Sequence, residues 1–378
     1  MHSETRKAIS TVLIDVYNQE RYIEQAILSV LDQGLSSSEL EIIVVDDGST
    51  DGTGVIVQKF RPRIRYLRKE NGGQASAFNA AITEVRGEIV SFLDGDDWWA
   101  EGKLIATIEA FAEHPDLAAV GHGFFEVCED GATSAVVPDG RLRVDLSTVD
   151  SARLSFRARR FLGTSKLSVR RIVLDRMGPL PDDLMFCADV PLQAWALAFG
   201  GALLLDRPLC YYRLHSDNLF QFESQNPAAV SRKHQMLAFA VEAISKKLGE
   251  FGTPPEVISA FLVGDRIEVA RAELRNGGGS RWKAFTTERE YFRTEYKNAS
   301  LGYVLFKWFV SALTLLLPPR KFYRLRDWYG HIGLSRFRSM LGKADLVNGQ
   351  SILQRYKTPP HQPPKSSATV DDSNPDRA

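Results

Sequence analysis

The chain has 378 residues, and 47 lysines and arginines balance 47 aspartates and glutamates, so its formal net charge is +0. That balance supplies no global field for nucleic acid or an anionic partner, and only local charge can carry a binding argument. The length allows one large domain with additions, or two domains, while three scattered cysteines, Cys128, Cys187 and Cys210, argue against a disulfide framework or a Cys-based zinc site and point to a reducing compartment.

The opening MHSETRKAIS has no apolar stretch ahead of the first strand-like run, so no cleaved secretory leader is expected and the expected location is the cytoplasm. From about residue 10 to 97, short β-branched runs alternate with stretches of helical period. This is the pattern of a mostly parallel, doubly wound α/β sheet of Rossmann-like type. STVLIDV reads as a buried strand, ERYIEQAILSVLDQ as a helix with Ile23, Ile27, Val30 and Leu31 on one face, and LEIIVVDD as a second strand. STDGTGVIVQKF resumes a helix, IRYLRK is a third strand, GGQASAFNAAITEVRG a helix closed by Gly87, and EIVSFLD a fourth strand. AEGKLIATIEAFAEHP is then helical and AAVGHGFFEVCED strand-like, while residues 130–160 show no clear period.

In open sheets of this kind, ligands sit beyond the carboxyl ends of the strands. The residues there are Asp15, Tyr17 and Asn18 after the first strand, Asp46 and Asp47 after the second, Asn71 to Gln74 after the third, and Asp94 to Asp97 after the fourth. So many carboxylates repel one another unless a cation or a donor-rich ligand offsets them. Asp46 and Asp47 leave their strand into a Gly-Ser-Thr turn that either exposes backbone N–H groups or merely caps a helix. If the site holds a nucleotide, a carboxylate at Asp46 accepts the imide N–H of uracil or thymine, or the ring N–H of guanine, and disfavours cytosine. Gly72 and Gly73 either let a ligand approach the backbone or let the helix pack closely on the sheet. In LDGDD, Asp94 and Asp96, with Asp97 adjacent, can converge on a hard divalent ion, Mn²⁺ or Mg²⁺, whose remaining ligands are substrate phosphates. Trp98 and Trp99 either line an acceptor or pack the next helix.

Beyond about residue 223 the pattern is helical. LGYVLFKWFVSALTLLLPP, followed by the basic aromatic RKFYRLRDWYG, fits a membrane-surface helix, ordinary core packing or, least well, a span. The expected division is thus 8–222 for the α/β part, 223–300 for a helical region, 301–357 for an apolar and basic helical segment at a possible membrane surface, and 358–378 for a Pro-rich polar tail.

Tyr17-Asn18, VVDDGSTDGT, NGGQASAFNAA and LDGDD, in that order and spacing, resemble the family 2 glycosyltransferases with their A-type nucleotide-diphospho-sugar fold. The likeness covers roughly residues 8–220. It implies that Tyr17, Asn18, Asp46, Asp47, Gly72, Gly73, Asn79 and Asp94 bind the nucleotide, and that Asp94 and Asp96 hold the metal on the diphosphate. It also implies a base in the family's Glu-Asp pair, met here as Ala188-Asp189, with Asp189 as that base or else a helix cap, and Asp182 and Asp183 as fallbacks. YYRLHSDN resembles the family's closing Tyr-Arg-x-His element. His215 is then a metal or diphosphate neighbour, or only a hydrogen-bonded structural group, with Arg213 as the alternative phosphate contact. Departures are Asp15 where the family usually has Pro, Phe78 where it often has Arg, and Ala188 in place of Glu. The Gln-x-x-Arg-Trp element and spanning helices of processive members are not visible. The implied activity is an inverting, hexosyltransferase-type transfer of one sugar from a nucleotide-diphospho-sugar donor, UDP- or dTDP-linked, to a glycan or lipid-linked acceptor in cell-surface polysaccharide synthesis. The rivals are a sugar-phosphate nucleotidyltransferase, for which DVYNQERY lacks the Gly-rich loop, and a non-catalytic sugar-nucleotide-binding or scaffold protein.

Overall fold

A computed structural model describes residues 10–181, 184–185, 188–215, 227–276, 279–295 and 301–332, with short stretches at 346–347, 350–351 and 353–358. The first half runs β1 (Ser10–Val16), α1 (Ile23–Leu31), β2 (Leu40–Asp46), α2 (Thr53–Gln58), β3 (Arg65–Arg68), α3 (Gly73–Ile82) and β4 (Ile89–Asp94). The four strands are parallel in the order β3-β2-β1-β4. Val12, Leu13, Ile14, Ile43, Val44, Val90, Phe92 and Leu93 are buried because helices cover both faces. Helix α1 buries Ile23, Ala26, Ile27 and Val30, a spacing of three and four that makes one apolar stripe against the sheet.

The next stretch contains β5 (Trp98–Trp99), α4 (Lys103–Glu113), β6 (Ala119–Cys128), β7 (Thr133–Pro138), β8 (Leu142–Val144), α5 (Val149–Ala158), β9 (Ser168–Arg170), α6 (Arg171–Met177), α7 (Asp189–Phe199) and β10 (Ala202–Leu214), with a short 3-10 turn at Thr164–Lys166. Here the pairing is mixed. β10 lies parallel to β6, but β9 is antiparallel to both β4 and β6, and β7 is antiparallel to β6. The sheet is therefore less parallel than the sequence suggests, because the β6–β7 connection turns at Gly131, with φ +80, and so short a loop can join only antiparallel strands. Residues 130–160, which show no period, fold as β7, β8 and α5, elements too short to display one. Helix α5 is instead set by its cap: Thr148 accepts the Ser151 N–H while Ser151 reaches back to the Thr148 N–H.

Helices α8 (Pro227–Glu250), α9 (Pro255–Phe261), α10 (Val263–Arg275), α11 (Arg281–Glu295), α12 (Leu301–Leu316) and α13 (Pro319–Ile332) follow. The expected boundary near 222 falls within residues 216–226, outside the described residues. A buried ion pair holds three of these helices: Arg271 on α10 donates to both oxygens of Glu288 on α11 at 2.8 and 3.0 Å, and the Tyr323 hydroxyl on α13 donates to Glu288 at 3.1 Å. Arg159, just past α5, pairs with Asp265 on α10 and ties this bundle to the α/β part. Among the described residues no helix is long and apolar enough to cross a membrane. Of the segment expected to be helical up to 357, the last part forms strands: β11 (Leu346–Val347), β12 (Gln350–Ser351) and β13 (Leu353–Thr358), the last antiparallel to β7. The tail expected after Thr358 lies outside the described residues.

Candidate active site

The parallel register sets the site. Asp15 on β1 is the direct partner of Asp94 on β4, and Val16 is the partner of Asp46, so the carboxylates that end three strands share one edge. The turn after β4 is fixed by backbone bonds, Gly95 N–H to the Asp15 carbonyl at 3.0 Å and Asp97 N–H to the Asp94 carbonyl at 3.1 Å. It brings one carboxylate oxygen each from Asp94, Asp96 and Asp97 within 4.8 Å of one another. Burial first, and then the charges of Asp15, Asp96 and Asp97, push the Asp94 carboxyl well above the ordinary carboxylate range. Burial, with Asp96 adding to it, pushes Asp97 up to about 7. Asp15 is also pushed up to about 7 by burial, against a lowering hydrogen bond from Gln74.

Two features show that this cluster suits a divalent cation. Carboxylates so close resist ionising together, and a bound cation removes that penalty. The buried Asp97 Oδ2 has no hydrogen-bond partner among the described residues, while Oδ1 accepts the Arg213 N–H at 2.9 Å. Oxygen donors of this kind fit Mn²⁺ or Mg²⁺. His215 joins them through Nε2, 3.1 Å from Asp96 Oδ2.

Near enough for its charge to act on Asp94 stands Asp189, the first residue of α7. Ala188, not Asp189, is the N-cap residue, and no side chain caps that position. Gln193 Nε2 donates to Asp189 Oδ2 at 3.1 Å, so one carboxylate oxygen is held. A single amide connects the two sides of the site. Gln74 Nε2 donates to Asp94 Oδ1 at 2.9 Å and to Asp15 Oδ2 at 3.3 Å, while Gln74 Oε1 accepts the Ala188 N–H at 3.0 Å.

A second residue without a role in the sequence reading is Lys166, which is only 7% exposed. Its Nζ lies 4.7 Å from the ring centroids of both Phe124 and Tyr212 and makes no hydrogen bond among the described residues. At Gly163 the position of an absent Cβ is 3.2 Å from Lys166 Nζ and 3.6 Å from Asp189 Oδ2. Glycine thus leaves ammonium and carboxylate facing one another. Burial pushes the Asp189 carboxyl above its ordinary range, and Lys166, then Arg159, act against that rise. In the role of base proposed below, Asp189 must be deprotonated, so Lys166→Met is expected to raise the Asp189 pKa and move the acid limb of kcat/KM to higher pH. The pH profile of sugar transfer checks this, and an unmoved acid limb contradicts it.

The remaining candidates are placed as follows. Asp46 is buried, with Oδ1 accepting the Ser49 N–H at 2.7 Å and Oδ2 the Tyr66 hydroxyl at 2.6 Å. Each oxygen keeps a second lone pair. Asp47 accepts from the Gly72 N–H at 3.1 Å, the Gly73 N–H at 2.6 Å and Lys69 Nζ at 2.8 Å. Asn18, with φ 53, laces the first two loops: its N–H donates to Ser49 Oγ and its Oδ1 accepts the Thr50 N–H. Tyr17 is 47% exposed beside them. An open depression of about 660 Å³ lined by Gly48, Arg68, Lys69, Glu70 and Asn71 adjoins this side. Asn79 donates to and accepts from the Leu180 backbone, on the loop leading to Asp189.

Close approach to Gly73, the first residue of α3, is taken by the chain itself. A Cβ on Gly73, with φ +83, would lie 2.4 Å from the Met185 Cα, and the Gln74 and Ala75 N–H groups donate to the carbonyls of Met185 and Leu184. Gly73→Ala is therefore expected to cost about 2 kcal/mol or more in urea unfolding; wild-type stability contradicts it. Arg213 is sandwiched at 4.5 Å from the rings of both Tyr22 and Trp98, donating through Nε to the Asp96 carbonyl. Trp98 and Trp99 are buried, Trp98 stacking on Tyr211 at 4.8 Å and Trp99 donating through Nε1 to the Ser165 carbonyl. Their burial is that of packing residues. Asp182 and Asp183 lie outside the described residues.

The family model for Glycosyl transferase family 2 matches residues 11–140. An uncharacterized glycosyltransferase of Nostoc sp. (strain PCC 7120) is 29% identical over 315 residues, covering 82% of this chain and 88% of that one. The putative teichuronic acid biosynthesis glycosyltransferase TuaG of Bacillus subtilis is 39% identical over 130 residues, 33% of this chain and half of that relative's length. Among solved structures, S. aureus TarS 1-349 in complex with UDP-GlcNAc superposes with a TM-score of 0.51 at 18% identity, covering 84% of this chain and 92% of that one, a likeness of fold. Apart from Ser10, the first four strands and the acidic turn after β4 lie within the matched residues, and residues 11–140 of this chain form a Glycosyl transferase family 2 domain.

Proposed function

We propose that this transferase is inverting and metal-dependent, and moves a single sugar from a nucleotide-diphospho-sugar, UDP- or dTDP-linked, to a glycan or lipid-linked acceptor of cell-surface polysaccharide. The observation that carries the reading is the Gln74 amide, which joins Asp94 of the acidic cluster to the backbone N–H preceding Asp189. That link supports reading the acidic cluster as metal clamp and Asp189 as base within one site.

On this reading Tyr17, Asn18 and Asp46 receive the nucleoside, Asp46 accepting the base N–H on a free lone pair. Asp94 and Asp96, with Asp97 and His215 close by, would hold Mn²⁺ or Mg²⁺. That ion, when bound, supplies the charge that stabilises the leaving diphosphate. Asp189 takes the proton of the acceptor hydroxyl as that oxygen attacks the anomeric carbon from the side opposite the diphosphate, so the configuration inverts. Lys166 keeps Asp189 ionised, and Gln193 orients it.

An envelope-polymer acceptor is favoured by the likeness to TuaG, a putative teichuronic acid biosynthesis glycosyltransferase. Peripheral attachment to a membrane surface is part of the same proposal. Release of nucleoside diphosphate from UDP- and dTDP-linked sugars, assayed with Mn²⁺, tests the donor class. Turnover of either donor supports it, and turnover of neither rejects it.

A further inference from the structure

Helix α12 packs Val310 and Leu313 against the Leu274, Ala284, Phe322 and Tyr323 cluster and leaves a second apolar stripe facing outward. Leu305, Trp308, Phe309, Leu315 and Leu316 are all exposed, Phe309 by 64% and Leu316 by 71%, while Ser311 and Thr314 are buried. Spacings of three and four put the exposed side chains on one face. Thr314 tolerates its inward position because its hydroxyl donates to the helix's own Ser311 carbonyl at 2.5 Å.

The rim of this face is cationic. The Arg289 guanidinium lies 4.8 Å over the Trp308 ring, and Arg281 Nη1 donates to the Leu315 carbonyl at 3.4 Å, placing these two of the three α11 arginines against α12. Arg320, Lys321 and Arg324 are exposed at the start of α13, which follows directly. Residues 301–316 contain no aspartate or glutamate. A second copy seated on this face about a two-fold axis would set the basic rim against itself, whereas an anionic lipid surface complements it. The helix has 16 residues, about 24 Å, against a hydrocarbon core of about 30 Å. It is therefore too short to span, and its geometry suits lying in the interface plane.

We propose that α12 docks this protein on an anionic membrane surface, with Leu305, Trp308, Phe309 and Leu316 entering the acyl boundary and the surrounding arginines and lysine meeting lipid phosphates. The proposal deepens the membrane part of the functional reading and stands apart from the sugar chemistry, since none of these residues belongs to the active site.

The test is co-sedimentation of the full chain with phosphatidylcholine vesicles carrying about 30 mol % phosphatidylglycerol. The wild type is expected to pellet with these vesicles, less with phosphatidylcholine alone, and to be released by about 0.5 M NaCl. Leu305→Glu with Phe309→Glu is expected to lower the bound fraction about tenfold or more, with melting temperature and donor turnover unchanged, because both positions are already in water. Wild type left in the supernatant, or the double variant pelleting like the wild type, overturns the proposal. So does sedimentation velocity without lipid showing a wild-type dimer that the double variant splits, which would make the face a self-interface.

Discussion

Asp189→Asn is expected to lower kcat for sugar transfer by about two to four orders of magnitude, a loss of about 3 to 5 kcal/mol of transition-state stabilisation. The amide keeps the shape of the carboxylate and an oxygen to accept the Gln193 bond that now holds Oδ2, so the fold and α7 remain in place. What disappears is the capacity to take a proton. KM for the donor and affinity for the free nucleoside diphosphate are therefore expected to stay near wild type, since the proposed role of Asp189 is toward the acceptor hydroxyl and not the nucleotide. Unchanged transfer and unchanged donor hydrolysis would remove Asp189 from the role of base and would revive a binding or scaffold role for this site.

The second large effect is expected at the acidic cluster. Asp96→Asn removes one charge from the three converging carboxylates and weakens the partner of His215 Nε2. Donor turnover is expected to fall about a hundredfold or more, about 2.7 kcal/mol. The stabilising effect of Mn²⁺ on the melting temperature is expected to shrink with it, because a cation that binds only the folded state stabilises by mass action. The metal arm is independent of activity: wild-type protein that melts at the same temperature with and without millimolar-range Mn²⁺ contradicts the clamp. A chelator is expected to abolish turnover in the wild type, and added Mn²⁺ to restore it.

How far these residues were visible in the sequence depended on how local each relation is. Asp94, Asp96 and Asp97 lie in four consecutive positions at the end of an apolar strand, so their convergence needed only the strand to be read correctly. Asp15 was legible as a strand-end residue, but its place beside Asp94 depends on the pairing of β1 with β4, a contact between strands far apart in the chain. The alternation of apolar runs and helical periods disclosed β1 to β4, but it ended where short antiparallel elements begin.

Relations made across long stretches of chain were not visible. Gln74 meets the Ala188 N–H across 114 positions, and Lys166 finds its cradle in Phe124 and Tyr212; nothing in the spacing of these residues announces either. Gly72 and Gly73 declared room for a close approach, but not that Met185 makes it at Gly73. Arg213 was legible as a cation near the site, yet its planes are filled by Tyr22 and Trp98. In α12 the period revealed an apolar stripe, while the side it faces is decided by packing against α11.

The central claim, a metal-assisted nucleoside-diphosphate site at this strand edge, is tested most directly by calorimetric titration of the protein with UDP and CDP, each with and without Mn²⁺. UDP is expected to bind with Mn²⁺, to bind much more weakly without it, and to be preferred over CDP because Asp46 accepts the uracil N–H. Binding that ignores the metal, or no binding of any nucleoside diphosphate, would contradict it.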